Sequence, residues 1–230
     1  KEMVYNDFHI GEGSDVVIVA GCGIHNGGDQ DSRHDGIHRF WLGKNAKVKY
    51  VEKHYGEGDG KGKRILNPVT EVTMDENSYM EMEMVQIKGV DSTKRMTKAD
   101  LAAGAKLIIR ERLLTHGDQH AESGFVVNLN GEDSSANVIS RSVAKNNSTQ
   151  VFNAEINGNA KCAGHSECDA IIMDHAKISA IPKIVANDID AALIHEAAIG
   201  KIAGEQLIKL MTLGLTEQEA EAQIVNGFLK

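Results

Sequence analysis

The sequence predicts a mainly β protein that ends in a short helical segment. Between Asp15 and Asn187, short apolar or β-branched runs alternate with Gly, Asn and Asp residues, which is typical of strands joined by tight turns. Aromatic residues make up only 4% of the 230 residues, so we expect a core of small and aliphatic side chains. From about Asp190 onward the apolar residues take up helical spacing.

The predicted strands share short Val-, Ile-, Leu- or Met-containing runs. In chain order they are Val16–Ala20, Val48–Val51, Met80–Ile87, Leu107–Ile109, Gly124–Leu129, Val138–Val143 and Ala170–Met173. A small-Ala-Lys-apolar pattern recurs at Asn45–Val48, Gly104–Leu107, Asn159–Cys162 and His175–Ile178. Its spacing is irregular, yet a small residue that enters a strand suits the stacked rungs of a β-helix. Short strands also build β-sandwiches, and composition leaves both architectures open.

The C-terminal segment is predicted to hold two helices. Gly214 suits the left-handed end of the first helix, and Thr216 with Glu219 predicts a capping box at the start of the second. The apolar positions of the two helices are Ile199, Ile202, Leu207, Leu210 and Met211, then Ala220, Ile224, Val225 and Phe228. We interpret the helices as a lid over the β core or as a docking module. The chain is accordingly divided into a core domain, residues 1–189, and a helical segment, residues 190–230.

Charge, hydropathy and cysteine content argue against a nucleic-acid-binding protein, a membrane-spanning protein and a disulfide-rich secreted protein. The formal net charge of −8 and the absence of a basic patch argue against nucleic acid as a partner. No apolar run is long enough to cross a bilayer, and the polar start Lys1–Gly11 does not resemble a signal peptide. Three cysteines argue against a disulfide framework and for a reducing compartment, so we expect a cytoplasmic protein.

The first cluster of chemically capable residues follows the first predicted strand. It contains Cys22, His25, His34 and His38, which are metal ligands by type but match no strong zinc spacing. By spacing alone, a solvated polar loop is the favoured interpretation. The alternative is a zinc-dependent hydrolase that uses Cys22, His34 and His38 with a carboxylate base.

Two further clusters lie downstream. On a strand, His116, Asp118, His120 and Glu122 would share one face, which is more typical of a solvated surface than of a ligand row. Farther on, Cys162 and Cys168 frame the segment Cys-Ala-Gly-His-Ser-Glu-Cys, and His195-Glu196 follows. Thiolate, imidazole and carboxylate together can hold iron, although a buried core thiol is an equally ordinary role for cysteine.

A run of motifs in the C-terminal half resembles the SufB/SufD family. Its members are Asn137–Val143, Glu167–Ile172, Ala180–Pro182, His195–Ala197, Gly204–Leu207, Leu213–Glu217 and Asn226–Phe228. The resemblance implies a right-handed parallel β-helix core with C-terminal α-helices. It also implies a scaffold that accepts sulfur and iron and builds a transient iron–sulfur cluster. Partners implied in the same way are a SufC-type ATPase and a cysteine desulfurase or its sulfur carrier.

The resemblance also suggests roles for single residues. Cys168 and Glu196 match the cluster-assembly positions of SufB, and His195 matches a histidine of SufD, so all three are expected to bind the cluster metal. Cys22 matches the cysteine that receives sulfur. Because SufB-like and SufD-like groups occur in one chain, a homodimer is expected to replace the usual pair of scaffold chains. The chain departs from SufB in its length and in the residues after Tyr50.

Overall fold

A computed structural model describes all 230 residues and shows a parallel β-solenoid followed by two helices. Successive strands alternate between two sheets of seven strands each. One sheet has the order β1-β3-β5-β7-β9-β11-β13 and the other β14-β12-β10-β8-β6-β4-β2. Neighbouring strands pair in parallel throughout both sheets. The predicted parallel β-helix with C-terminal helices is therefore confirmed, and the antiparallel sandwich is excluded.

The strands are about equally long, as expected for stacked turns. They are β1 Glu2–Ile10, β2 Asp15–His25, β3 Ser32–Leu42, β4 Lys47–Glu57, β5 Arg64–Met74, β6 Tyr79–Lys88, β7 Ser92–Leu101, β8 Lys106–Thr115, β9 His120–Leu129, β10 Ser134–Ala144, β11 Thr149–Gly158, β12 Cys162–Ile172, β13 Lys177–Ala186 and β14 Ala191–Gly200. Each of the seven predicted runs overlaps one of these strands.

The core is the lumen between the two sheets. Side chains alternate along each strand, so every second residue points inward and stacks on its register partner in the next turn. Met80, Met82 and Met84 of β6 illustrate this alternation, since all three are fully buried. Leu107 and Ile109 continue two of these stacks on β8. As predicted, most of the core side chains are small or aliphatic, but Phe40, Tyr50, Phe125 and Phe152 also belong to it.

The corners of the solenoid are built from a repeated turn. Asn45, Asn77 and Asn146 have φ values of 58°, 55° and 58°, a left-handed conformation that asparagine tolerates better than most residues. Ala46 and Ala105 follow such turns and are fully buried. This explains three of the four small-Ala-Lys-apolar segments: Ala46, Ala105 and Ala176 are buried at the corners, and the lysine that follows each points outward. Ala160, in the fourth segment, is only half-buried.

The C-terminal segment departs from the prediction at one point. Helical spacing was predicted from about Asp190, but Ala191–Gly200 forms the edge strand β14, which pairs in parallel with β12. The pairing satisfies backbone groups of β14 and overrides the weak helical periodicity of a segment rich in alanine. Helix α1 covers Gly204–Thr212 and α2 covers Glu217–Phe228.

The end of the first helix and the start of the second are as predicted, whereas Ile199 and Ile202, predicted as helical positions, precede α1. Gly214 has a φ of 94° after α1, and the capping box of Thr216 and Glu219 is present at the start of α2. Val225 and Leu229 pack with Val143 of β10 in a small cluster apart from the main core. Both helices fall short of the length and apolar content that a bilayer-spanning helix needs.

Candidate functional site

A continuous set of buried polar side chains runs through the lumen. We call it the polar row; its members are His38, Tyr50, Glu52, His54, Arg95, Glu111, Ser123 and Ser140. All of them are at most 4% exposed. Burying this many polar groups is unfavourable unless they satisfy one another, so their arrangement in the middle of an aliphatic core indicates a role beyond packing.

The N-terminal half of the polar row centres on Glu52. The Tyr50 hydroxyl donates a hydrogen bond of 3.0 Å to Glu52 Oε1. His54 Nε2 lies 3.2 Å from the same oxygen. On the opposite sheet, His38 Nδ1 lies 3.2 Å from the Tyr50 hydroxyl. One carboxylate oxygen of Glu52 is thus contacted by two neighbours, while Oε2 has no hydrogen-bond partner.

The C-terminal half of the polar row centres on Glu111. Arg95 reaches across the lumen, donating to His54 Nδ1 at 2.6 Å and to Glu111 Oε1 at 3.5 Å. Ser123 and Ser140 donate to the two oxygens of Glu111 at 2.5 and 2.8 Å. Arg95 therefore joins the two carboxyl groups of the row into a single network.

The electrostatics of the polar row follow from this burial. Burial alone would raise the pKa of the Glu52 carboxyl, but its contacts with His54 and Arg95 outweigh burial and hold the pKa at about 2. Burial lowers the pKa of both His38 and His54 below the ordinary value. At neutral pH Glu52 is therefore ionised, the two imidazoles are neutral, and Arg95 is the one fixed cation of the row.

Cys22, the predicted sulfur acceptor, lies at the N-terminal end of the lumen. It points inward from β2 and is half-buried, whereas its glycine neighbours predicted an exposed thiol. The outward positions on either side of it belong to Gly21 and Gly23, so the glycines do not expose the thiol. The outer face is open at Gly21, whereas the ring of Tyr55 covers Gly23. Burial raises the pKa of Cys22 to about 11.

Cys168, the predicted cluster ligand, lies near the other end of the lumen. It points inward from β12, is 1% exposed and stands in register with Ser140. Burial, and then the negative charge of Glu111, raise the pKa of the Cys168 thiol to about 12. Cys162 also faces the lumen, at the start of β12, and burial raises its pKa as well.

The structure brings one of the two other predicted ligands to the face that carries Cys168. His195 of β14 points toward the lumen, with Nδ1 3.3 Å from the Ser166 hydroxyl. Glu196, the next residue, points to the outer face, where its Oε2 lies 3.8 Å from His165 Nε2. His165, Glu167 and Glu196 form a cluster of three possible ligands there. In this arrangement Cys168 and Glu196 lie on opposite faces of one sheet.

The other histidine clusters separate in the structure. Of the three residues in the hydrolase alternative, Cys22 and His38 come together, joined by Glu52. His34 instead bonds to Glu2 through Nδ1 at 2.9 Å. The segment 116–119 is a turn and not a strand, so His116 and His120 line an open polar cleft at a corner of the solenoid.

Sequence reasoning did not find Glu52, Arg95 or Glu111. The sequence did contain a signal for Glu52. On β4 the residues Val48, Tyr50, Glu52 and His54 alternate with outward residues and therefore share one face. A carboxylate on the inner face of a strand is rare without a partner. The partners could not be identified, since they come from strands in other turns.

Comparison with known proteins shows what the chain is similar to. Residues 5–228 match the family model described as SUF system FeS cluster assembly, SufBD core domain. The chain is 31% identical over 232 residues to an iron–sulfur cluster assembly SufBD family protein of Archaeoglobus fulgidus. It is 32% identical over 220 residues to one of Methanocaldococcus jannaschii.

These relatives are longer proteins. The matches cover 100% of this chain and 61% of the Archaeoglobus protein, and 95% of this chain and 68% of the Methanocaldococcus protein. A SufBD family protein of Staphylococcus epidermidis is 28% identical over 227 residues, with 47% of its length covered. The similarity thus extends along the whole of this chain and over about half to two thirds of each relative.

Proposed function

Because this chain belongs to the SufBD family of iron–sulfur cluster assembly proteins, we propose that it is a scaffold that accepts sulfur and iron and builds a transient cluster. Cys22 is the sulfur acceptor and Cys168 is the thiolate ligand of the nascent cluster. Thiolate is the usual protein ligand in such clusters. The proposal treats the cluster as cargo, assembled here and passed on.

The polar row is the observation that carries this proposal. Cys22 and Cys168 belong to the same sheet, five strand-to-strand steps apart, which at about 4.8 Å a step separates them by roughly 24 Å. Direct transfer of sulfur between the two thiols of one chain is excluded at that distance. The polar row begins beside Cys22 at Glu52 and ends at Ser140, the register partner of Cys168, and provides a polar path through a largely apolar lumen.

The cluster end must open for assembly to take place. Cys168 is buried, protonated and covered by β14, while Glu196 faces the other side of the sheet. As an edge strand, β14 is held by pairing on one side only. Displacement of β14 would expose Cys168 together with His195 and allow Glu196 to approach, so that all three contribute ligands. Soft thiolate and harder imidazole and carboxylate ligands are together suited to iron.

Partners would act at the two ends of the chain. A SufC-type ATPase would dock on α1 and α2, which follow β14 directly, so that its motion is transmitted to the edge strand. A cysteine desulfurase or its sulfur carrier would deliver sulfur at the half-buried Cys22. Mass spectrometry after incubation with a desulfurase is expected to show added sulfur on the Cys22 peptide; sulfur only on Cys162 or Cys168 would contradict this assignment.

Anaerobic reconstitution with iron and sulfide tests the scaffold function. We expect the intact protein to develop a thiolate-dependent visible chromophore and the Cys168→Ala variant to lack it, because alanine offers no ligand to iron. The matched control is Cys162→Ala, which removes a second thiol from the same strand and is expected to retain the chromophore. Normal visible absorption from the folded Cys168→Ala variant would rule the proposal out.

A further inference from the structure

Three possible metal ligands converge at the N-terminal end of the lumen. The Cys22 sulfur, a His38 ring nitrogen and a Glu52 carboxylate oxygen all lie within 4.8 Å of one another. They come from three different strands, β2, β3 and β4, so their convergence is a property of the fold. His38 is 2% exposed and Glu52 is 0% exposed.

The hydrogen bonds around His38 leave one of its nitrogens free. The Tyr50 hydroxyl donates its proton to Glu52, so His38 must be the donor in its 3.2 Å contact with that hydroxyl. The proton is thereby placed on Nδ1, and Nε2 retains an unshared electron pair. Nε2 is buried and has no hydrogen-bond partner. A neutral imidazole fixed in this tautomer is the form that binds metal ions.

Glu52 also has an unpaired buried atom. Its Oε1 receives Tyr50 and contacts His54, whereas Oε2 is buried and has no partner. The polar row contains two carboxyl groups, Glu52 and Glu111, against the single guanidinium of Arg95. An additional positive charge beside Glu52 would offset this imbalance and satisfy Oε2.

The spacing and the free room suit a metal ion. His38 Nε2 lies 4.0 Å from Glu52 Oε1, and tetrahedral coordination with bonds of about 2.0–2.3 Å places ligand atoms roughly 3.5 Å apart. Gly36, which points into the lumen beside His38, keeps the room free, because a Cβ there would lie 3.1 Å from His38 Nε2. The three ligand atoms lie within 4.8 Å of one another, so a contraction of at most about 1.3 Å in any ligand-to-ligand distance would complete the site.

We propose that Cys22, His38 and Glu52 bind one divalent transition-metal ion. A thiolate, an imidazole and a carboxylate form a borderline ligand set that takes Zn²⁺, Fe²⁺ or Co²⁺ rather than Mg²⁺ or Ca²⁺. Three protein ligands leave a fourth position open, as in sites that act on a bound species rather than serve structure alone. The site is distinct from the cluster-assembly end of the lumen and does not depend on it.

Titration of the reduced protein with Co²⁺, without sulfide and under anaerobic conditions, tests the site. We expect one Co²⁺ per chain, with a thiolate-to-cobalt charge-transfer band and visible bands typical of tetrahedral coordination. Cys22→Ser should remove the charge-transfer band. His38→Gln and Glu52→Gln should each weaken Co²⁺ binding at least about tenfold. His38→Gln also separates this site from sulfur acceptance, because it leaves the Cys22 thiol in place.

Matched variants guard against loss of fold. Gly36→Ala fills the space beside His38 Nε2 and should weaken Co²⁺ binding without removing a ligand; Gly21→Ala, where a Cβ meets nothing within 4 Å, should have no effect. Thermal unfolding shows whether each variant is folded. A charge-transfer band that persists in Cys22→Ser, or that disappears in Cys168→Ala instead, would overturn the proposal, as would equal Co²⁺ affinity of folded Gly36→Ala and Gly21→Ala. If the Cys168→Ala variant fails to form a cluster but binds Co²⁺ normally, the result supports both the scaffold function and the separate metal site.

Discussion

The three thiols show how position along the lumen controls chemistry at the scale of a single residue. All face inward, and burial raises the pKa of each. The thiolate is the reactive form of cysteine. In this structure all three thiols are therefore protonated at neutral pH and are weak nucleophiles. Cys22 differs from the other two in being half-buried instead of buried. Its position at the end of the lumen gives a sulfur donor access that Cys168 lacks.

Alkylation should therefore proceed in a fixed order. In the folded protein we expect iodoacetamide to modify Cys22 first and Cys168 last, since Cys168 is 1% exposed and its pKa is raised to about 12. A time course read by mass spectrometry measures the order, and the same reaction in urea, where all three thiols should react alike, is the control. Modification of Cys168 as fast as Cys22 would mean that β14 opens without a partner.

At the scale of the element, β3 and β4 bury two imidazoles whose titration makes stability depend on pH. The pKa values of His38 and His54 are lowered from 6.5 by burial, so below that pH the unfolded chain binds protons that the native chain does not. Stability contributed by the neutral imidazoles is complete above pH 6.5 and is lost as the pH falls toward their native pKa values. Glu52, whose pKa is also lowered, adds a further loss only below its ordinary value of 4.5.

We accordingly expect the urea midpoint of unfolding to fall between about pH 6.5 and 5. The double variant His38→Gln with His54→Gln should be less stable at neutral pH but should show a shallower pH dependence. The matched control is His116→Gln, which lies in an exposed turn and should retain the slope of the unmodified protein. An unchanged slope in the double variant would show that other groups cause the pH dependence.

The capping box of α2 is a second feature of this scale. Thr216→Ala removes the side chain that accepts from the Glu219 backbone amide and should cost about 1 kcal/mol of helix stability. Because α2 buries only Ala220 and Val225, the loss should appear as faster amide exchange within α2, with little change in solenoid unfolding. Thr212→Ala, whose hydroxyl bonds within the last turn of α1, is the control and should leave α2 exchange unchanged.

The elements also show which features a sequence can reveal. The alternation of β4 and β6, the buried alanines after the corner turns and the capping box are all set by residues close in sequence, and they could be predicted. The polar row could not, because Arg95 and His54 are 41 positions apart and meet only through the stacking of turns. The strand β14 was missed because its stability comes from pairing with β12 and not from its own composition. The side of the sheet that Glu196 occupies follows from the same pairing.

At the scale of the whole molecule, the solenoid leaves an exposed end at β13 and β14. Each is the last strand of its sheet, and an unpaired edge is a template for pairing with another chain. Ile181 and Ile194 are 54% and 56% exposed at this end. Backbone groups that lack partners and exposed apolar side chains thus occur together, which favours a homodimer with two-fold symmetry.

Size-exclusion chromatography with light scattering is expected to show this homodimer. Ile181→Lys with Ile194→Lys should shift the protein to monomer, since two buried charges would face their own copies across the interface. Ile87→Lys places the same charge at a 39% exposed position on β6, which is paired on both sides, and should leave the dimer intact. A strictly monomeric protein at high micromolar concentration, with no shift on adding a SufC-type ATPase, would contradict the assembly.

The stacked turns act as a molecular ruler. Because Cys22 and Cys168 lie on strands of one sheet, the distance between them depends on the number of complete turns that separate them. Adding or removing one turn changes this distance by about 4.8 Å. The glycine-rich segment 56–62 lies at one corner of the solenoid. Residues inserted at such a corner would enlarge the surface without altering the distance between the two thiols. The length of the corner segments can therefore change without consequence for this distance, whereas the path between the two thiols lengthens or shortens only by whole turns.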